Sequence, residues 1–202
     1  GFFLSLVCGM AFFLGTFHWI LVVPKYNLLH HGMLALYLGS YFGLFGFMFT
    51  FLSKYKGYFP ALFLSPFLWV SLEYLRSNLH FLALPWMLLG HSQYQYLPVL
   101  QIASFTGAYG ISFLIVMVNA SLVAMILPFL DRSREKESPL PMNSSGTSRK
   151  TTAIFALITL MLMVMILLYG IITIPDHITG RGIMVSVIQG DIAQEEKWDK
   201  RY

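Results

Sequence analysis

The sequence contains little charge and a single cysteine. Asp, Glu, Lys and Arg make up 11% of its 202 residues, whereas a soluble domain carries about 25%. This shortage excludes an ordinary soluble domain, so the net charge of +4 does not indicate a nucleic-acid-binding surface. Because Cys8 is alone, neither a disulfide framework nor a cysteine metal site can form within the chain.

Long apolar stretches dominate instead. The chain is 57% hydrophobic, contains 18 Phe, and has a mean hydropathy of +0.69. A transmembrane helix needs about 20 mostly apolar residues, because no water is present to satisfy its backbone. Since residue 1 is Gly and no basic segment precedes the first apolar stretch, we expect an internal piece without a signal peptide. The sequence predicts five spans: residues 1–23, 33–52, 58–75, 101–130 and 152–173.

Basic residues between the spans predict the orientation. Seven Lys and Arg lie in the connections on one side, and Lys25 is the only one on the other. Basic connections remain in the cytoplasm in most membrane proteins. The resulting arrangement has cytoplasmic connections at 53–57 and 131–151, outer connections at 24–32 and 77–100, a membrane domain at 1–174, and an extracytoplasmic segment at 175–202.

Glu73 and Arg76 are the first candidates for a functional role. They lie three residues apart near the outer end of the third span, so a helix places them on one face and we expect them to pair. Ionisable groups at membrane depth are costly, which makes them candidates for a functional site. The alternative is a structural ion pair that anchors the end of the helix at the interface.

The stretch "LPWMLLGHSQYQY", Leu84–Tyr96, is uncharged and too interrupted for a spanning helix. It fits either an aromatic belt at the outer interface or a loop that lines a cavity, since non-helical backbone at this depth must be buried in protein or face a cavity. Gln93 and His91 could meet a polar headgroup there, although a lone His is more often structural.

Other motifs are less specific. The adjacent His30 and His31 lack partners for a metal ion, and we predict neither a metal nor a cofactor. Gly39 and Gly43 in the second span, and Gly107 with Gly110 in the fourth, predict close approach of helices.

Residues 182–202 differ in composition from the predicted spans. Val185, Val187 and Ile188 lie in the run "GIMVSVIQGD" (182–191), which is typical of a buried first strand of an α/β domain. The polar stretch that follows contains one aromatic residue, Trp198. Trp198 either contacts lipid at the membrane surface or docks onto a domain that follows.

Four stretches together resemble the apolipoprotein N-acyltransferase family, bacterial enzymes that add the third acyl chain to lipoproteins. They are "FLWVSLEYLRS" (67–77), "PWMLLGHSQ" (85–93), "QIASFTGAYGISFLIVMVNA" (101–120) and "VSVIQGDIAQEEKWD" (185–199). The resemblance covers nearly the whole chain, and the last stretch is its most specific part.

The resemblance implies a membrane bundle with a nitrilase-like domain on the outer side, of which residues 175–202 are the start. It also implies a Glu-Lys-Cys triad that lies beyond Tyr202, so no catalytic residue is assigned here. The implied partners are a phospholipid acyl donor and a lipidated apolipoprotein acceptor in the inner membrane. His91 departs from the Tyr common in the family. The family positions that line or support the cavity mouth match Trp198, Trp86, Gly90, Gln93, Glu73 and Arg76.

Two alternatives remain at this stage. One is a non-enzymatic membrane bundle that binds or transports lipid, and the other is a nitrilase-fold fusion that acts on a different acceptor. The residues that follow Tyr202 discriminate the family resemblance from the non-enzymatic bundle, since the family requires a Glu, a Lys and a Cys there.

The orientation can be tested with an introduced cysteine. In the full-length protein with Cys8 replaced by Ser, we expect Ser186→Cys or Ala193→Cys to react with an impermeant maleimide in intact cells, because the charge bias places residues 175–202 outside. Labelling that appears only after lysis would mean that the orientation is reversed.

Overall fold

A computed structural model describes residues 1–135, 149–174 and 184–190, with side chains up to Leu127 in the first range. Within this part, four helices are long and apolar enough to span a membrane: α2, α3, α5 and α6. A shorter apolar helix, α1, precedes them, and a one-turn helix, α4, lies between α3 and α5, in residues 79–102, which we call the outer connection after the side predicted for it. The bounds are α1 Phe2–Thr16, α2 Leu28–Lys56, α3 Tyr58–Asn78, α4 Leu97–Leu100, α5 Ala103–Glu135 and α6 Arg149–Thr173.

The helices agree with four of the five predicted spans, but the first predicted span, 1–23, is wrong as a single helix. The α-helix ends at Thr16 and a 3₁₀ turn follows at His18–Val22. The Thr16 hydroxyl donates to Phe12 O at 3.0 Å and His18 Nδ1 donates to Gly15 O at 2.8 Å, so side chains take up carbonyls at the helix end. A fifth span within residues 1–23 is therefore not shown.

Close packing joins α1 to α2 in antiparallel fashion. A Cβ placed on Gly9 would lie 2.7 Å from Phe42 Cβ, and one on Gly39 would lie 2.9 Å from Met10 Cγ. A Cβ placed on Gly43 would likewise lie 2.8 Å from Phe2 Cε2. The predicted role of Gly39 and Gly43 in helix approach is thus confirmed, because only glycine leaves room for the neighbouring helix.

Gly107 has a different role from the one that its spacing predicts. Its φ of 62° and ψ of −168° interrupt α5 with a kink, a conformation that L side chains rarely adopt. The atoms nearest to Gly107 and Gly110 belong to α5 itself. The expectation of interhelical packing at Gly107 and Gly110 is therefore wrong, and the kink sets the direction in which α5 enters the bundle.

Two clusters of buried apolar side chains hold the bundle together. The first joins α1, α2 and the outer connection, and the second joins α3, α5 and α6. The outward faces of the helices expose many apolar residues, as with Leu157 and Met161 of α6, which are each 63% exposed. Such faces suit contact with lipid rather than water.

Residues 184–190 are exposed and contain no strand. The strand predicted there is not formed in this structure, because a strand is stable only when neighbouring strands pair with it and the described residues provide none. Trp198 lies outside the residues that the structure describes.

A pair of glycine substitutions in α2 tests the helix contact. We expect Gly39→Ala to lower the free energy of unfolding by about 1–3 kcal/mol, because its methyl group overpacks the contact with Met10. Gly32→Ala is the matched control: nothing lies within 4 Å of its Cβ, and helix propensity predicts a gain of about 0.5–1 kcal/mol. Equal effects of the two changes on thermal unfolding would contradict the close packing.

Candidate functional site

Arg76 fixes the backbone of the outer connection. It lies in the last turn of α3 and is 4% exposed. Its Nη1 donates to Trp86 O at 2.9 Å and its Nη2 to Met87 O at 3.5 Å. The guanidinium also lies 5.6 Å from the centre of the Phe13 ring of α1, within range of a cation–π contact.

Glu73 and Ser112 fix the next residues of the same connection. Glu73 is 4% exposed, and its Oε1 accepts a hydrogen bond from Leu89 N at 2.7 Å. Ser112 of α5 is fully buried, and its Oγ accepts from Gly90 N at 2.8 Å. Side chains from two helices therefore hold this connection through its backbone.

The expected direct pairing of Glu73 with Arg76 is not what the structure shows. Neither carboxylate oxygen of Glu73 is hydrogen-bonded to Arg76: Oε1 accepts from Leu89 N, and Oε2 is buried without a hydrogen-bond partner. The two side chains remain close enough to attract each other. They are coupled chiefly through the segment that both bind, since each satisfies backbone groups that would otherwise be costly at this depth.

We call the side chains of Arg76, Glu73 and Ser112 the clamp, because they hold the backbone of residues 86–90. Trp86 lies at the rim of this segment. Trp86 is 49% exposed, and its ring centre lies 6.3 Å from that of Phe17 and 5.9 Å from that of Trp19. Met87 takes a positive φ of 51°, a strained conformation for a side chain of this size. The hydrogen bonds to this segment and the aromatic neighbours therefore hold Trp86 beside Phe17 and Trp19.

The other predicted residues of this connection have different surroundings. Gly90 is buried, and a Cβ there would collide with Ala108 O, so it serves close packing on α5. Gln93 is partly buried and donates to Ser92 Oγ at 3.1 Å. His91 is exposed. Neither Gln93 nor His91 bonds to Glu73 or Arg76.

His31, the other histidine candidate, is structural. It is 4% exposed, its Nε2 donates to Leu14 O at 3.1 Å, and its Nδ1 accepts from the Tyr26 hydroxyl at 3.3 Å. Burial raises the pKa of the Tyr26 phenol, which keeps it a proton donor. Both ring nitrogens of His31 are thus used inside the protein and neither is left for a metal ion.

A cavity of about 630 Å³ lies beneath the clamp, within the usual range of ligand pockets. Phe13 and Met87 bound it near the outer end, where Glu73 and Arg76 also line it, and its walls come from α2, α3 and α5. Aliphatic and aromatic side chains form most of the surface. The principal lining residues along its length are Tyr41, Phe45, Leu62, Ser65, Trp69, Val116, Asn119 and Val123.

The cavity is open on one side. Both α2 and α5 pack on α3, but they make little direct contact with each other. Sealed and empty, a void of this size would cost about 15 kcal/mol at ~24 cal/mol per Å³, which matches the whole stability of a typical domain. A space of this size is therefore either filled or open to the surroundings of the bundle, and its apolar lining suits hydrocarbon better than water.

Two polar groups beside this cavity have no partner. Trp69 Nε1 and Glu73 Oε2 are both buried without a hydrogen bond, four residues apart on α3. Sequence reasoning found Glu73 but missed Trp69 and Ser112. A signal for Trp69 was present, because it lies one helical turn before Glu73 and shares its face. Ser112 is one of many small residues in α5, and no pattern distinguished it.

Comparison with known proteins places the chain in a family. Residues 1–121 match the family model described as the apolipoprotein N-acyltransferase N-terminal domain. The chain belongs to the apolipoprotein N-acyltransferase family. This agrees with the family resemblance of the sequence, and with the family's membrane character, since the described helices fit a multi-pass membrane protein.

Individual relatives carry the same name. An apolipoprotein N-acyltransferase of Geobacter metallireducens is 34% identical over 207 residues, which cover 98% of this chain and 36% of the relative. One of Coxiella burnetii is 29% identical over 150 residues, covering 74% of this chain and 26% of that protein. The chain therefore spans about a third or less of the length of these curated relatives. No solved structure matches the chain.

A double-mutant cycle tests the clamp. Because Glu73 and Arg76 bind one segment, we expect the losses of stability in Glu73→Gln, Arg76→Gln and the double variant of the full-length protein to be non-additive by about 0.5–3 kcal/mol. Ser71→Ala, an exposed hydroxyl of α3 that donates to Phe67 O, serves as the control and should be additive with either change. Additive losses for Glu73 and Arg76 would show that the two residues act independently.

Proposed function

We propose that this chain is the membrane part of an enzyme that transfers an acyl chain from a phospholipid to the N-terminal amine of a lipidated cysteine on lipoproteins. Membership of the apolipoprotein N-acyltransferase family supports the reaction class. The observation that carries the proposal is the Trp86 segment, held by Glu73 and Arg76 at the outer end of an apolar cavity. The proposed location is the bacterial inner membrane, with residues 175–202 outside the cytoplasm.

The reaction needs a place where a lipid ester and a protein amine can meet. The ester bond of the phospholipid breaks and an amide bond to the amine forms, while the proton that the amine loses ends on the ester oxygen of the departing lysophospholipid. Both substrates are anchored in the membrane, so their reacting groups meet at its surface. An apolar cavity that ends at a fixed polar rim can hold an acyl chain while its carbonyl remains at that surface.

The residues of this chain would bind and orient rather than react. Arg76 and Glu73 fix the backbone, and Trp86 presents an indole at the boundary between hydrocarbon and water, which suits its amphipathic ring. Gly90 provides the close packing that keeps the segment on α5. The family resemblance implies that the Glu-Lys-Cys triad lies after Tyr202 in the sequence. It also implies that Trp198 lies near the mouth of the cavity. Gln93 is proposed as a polar contact for a headgroup.

A lipid-binding or transport bundle without enzymatic activity is the alternative, and the family findings do not favour it. Such a bundle would share the apolar cavity but would not form a new amide. The direct test uses the full-length protein in vesicles with a phospholipid and a peptide that begins with a diacylated cysteine. Mass spectrometry should detect the N-acylated peptide, and its absence with folded protein would contradict the proposed reaction.

Two tryptophan variants test the proposed binding residues. In the full-length protein we expect Trp198→Ala and Trp86→Ala to reduce acyl transfer at least about tenfold, which corresponds to ~1.4 kcal/mol of lost transition-state binding, because the indoles position the lipid. The free energy of unfolding should stay within about 1 kcal/mol of wild type for Trp198→Ala, as for surface residues, and within about 1.5 kcal/mol for Trp86→Ala, which loses two ring contacts.

The control for both is Phe81→Ala, which removes an aromatic ring that is 92% exposed in the same outer connection. It should leave both stability and transfer close to wild type. If instead Trp198→Ala lowers stability by the ~3–5 kcal/mol typical of a core aromatic, and activity follows the folded fraction, then Trp198 is a packing residue.

A further inference from the structure

We propose that Tyr37 of α2 is a further positioning residue of the site and that it acts through Trp86. Its hydroxyl ties the outer connection to α2, shortly before the segment that the clamp holds. The role in acyl transfer rests on the proposed function, whereas the tie itself does not. Three features support this role: the direction of two hydrogen bonds, the stiffness of the stretch that leads to Trp86, and strained backbone on either side of that stretch.

Two tyrosines of α2 form a short chain of hydroxyl groups. Tyr37 and Tyr41 lie one helical turn apart on one face, with 3.1 Å between their hydroxyl oxygens, and the Tyr37 hydroxyl donates to Leu82 O at 2.7 Å. Because the single hydrogen of Tyr37 goes to this carbonyl, Tyr41 must be the donor to Tyr37. The two rings also meet edge to face, with 5.6 Å between their centres. Tyr41 therefore holds Tyr37 where it can bind the connection.

A short and stiff stretch leads from this tie to Trp86. Only three residues separate Leu82 from Trp86, and one of them is Pro85. Proline fixes its own φ and restricts the residue before it, so Leu84 and Pro85 have little conformational freedom. Leu84 N also donates to Arg76 O at 3.1 Å. A displacement at Leu82 is therefore passed on to Trp86 rather than absorbed between them.

Strained backbone lies on either side of this stretch. His80 has a φ of 46° and Met87 a φ of 51°, and such conformations persist in residues with side chains only where the surroundings hold them. Arg76 holds Met87 through its carbonyl oxygen, with 3.5 Å between Nη2 and O. Tyr37 supplies the corresponding tie two residues after His80. The stretch that carries Trp86 is thus held at both ends.

The tie also links helices that make little direct contact. Both α2 and α5 pack on α3 but barely on each other. The outer connection is bonded to α2 through Tyr37 and to α5 through Ser112, whose Oγ accepts from Gly90 N at 2.8 Å. Trp86 lies between these two points in the sequence. Its position is therefore set relative to both helices, and loss of the Tyr37 hydroxyl would leave α2 joined to the connection by apolar packing alone, as with Leu84.

Hydrogen exchange of the full-length protein in lipid nanodiscs tests the tie without any measurement of activity. We expect Tyr37→Phe to speed exchange in the peptide that covers residues 79–86 by about twofold to tenfold, because one hydrogen bond that holds this turn is lost. Tyr41→Phe is the matched control: it also removes one hydroxyl of α2, but Tyr37 can still donate to Leu82 O. Exchange that is unchanged in Tyr37→Phe, or equally fast in both variants, would overturn the tie.

Kinetics distinguishes a positioning role from simple packing. We expect Tyr37→Phe to lower kcat/KM for the phospholipid donor about threefold, as for one lost hydrogen bond, and to cause no further loss in a Trp86→Ala background, because it acts through Trp86. Tyr55→Phe removes an exposed hydroxyl near the other end of α2 and should match its parent in both backgrounds. An equal loss from Tyr37→Phe with and without Trp86 would overturn the positioning role.

The two measurements also separate this inference from the proposed reaction. Folded wild-type protein without acyl transfer would contradict the proposed function, and with it the role of Tyr37 in transfer, while faster exchange in Tyr37→Phe would still establish the tie to Leu82. Acyl transfer that is unaffected by Tyr37→Phe would uphold the reaction and overturn the positioning role.

Discussion

The backbone between α3 and α5 must find hydrogen-bond partners at a depth where water is scarce, and the outer half of the molecule depends on how that need is met. Arg76, Glu73 and Ser112 supply the partners. A charged group is tolerated there because it replaces the water that the backbone would otherwise need. The segment that carries Trp86 is held for the same reason, and it forms the rim of the cavity.

The cavity follows from the same arrangement. Met87 and Leu89 of the held segment line the cavity, while α2 and α5 each pack on α3 and make little contact with each other. Both helices pack on α3, but neither fills the space between α2 and α5. The apolar lining and the polar rim thus arise together, and they separate a region suited to hydrocarbon from one suited to a headgroup.

Hydropathy predicted most of the helices because their signal is long and continuous. The start of α2 differs from the predicted start at residue 33, because the span was placed after the polar His30 and His31. Asn27 caps the helix by accepting from Leu29 N and His30 N, and a capping residue of this type is a signal that the sequence contains. The early end of α1 was not predictable from hydropathy, because residues 1–23 are uncharged and mostly apolar throughout. Glu73 and Arg76 were identified as candidates from their spacing, but their partners are 10 to 16 residues away, beyond the reach of helical periodicity.

The connection between α2 and α3 consists of Gly57 alone, with a φ of 91°. A single residue provides almost no slack, so the angle of this hairpin is set by the backbone at Gly57. Any widening of the gap beside α3 must therefore come from α5. Its inner half is fixed by the cluster that includes Met117, Ala124 and Phe155, whereas the kink at Gly107 lies near the outer end. The bend in α5 therefore lies in its first turns, next to the segment that Ser112 holds, and not in the half that the cluster packs.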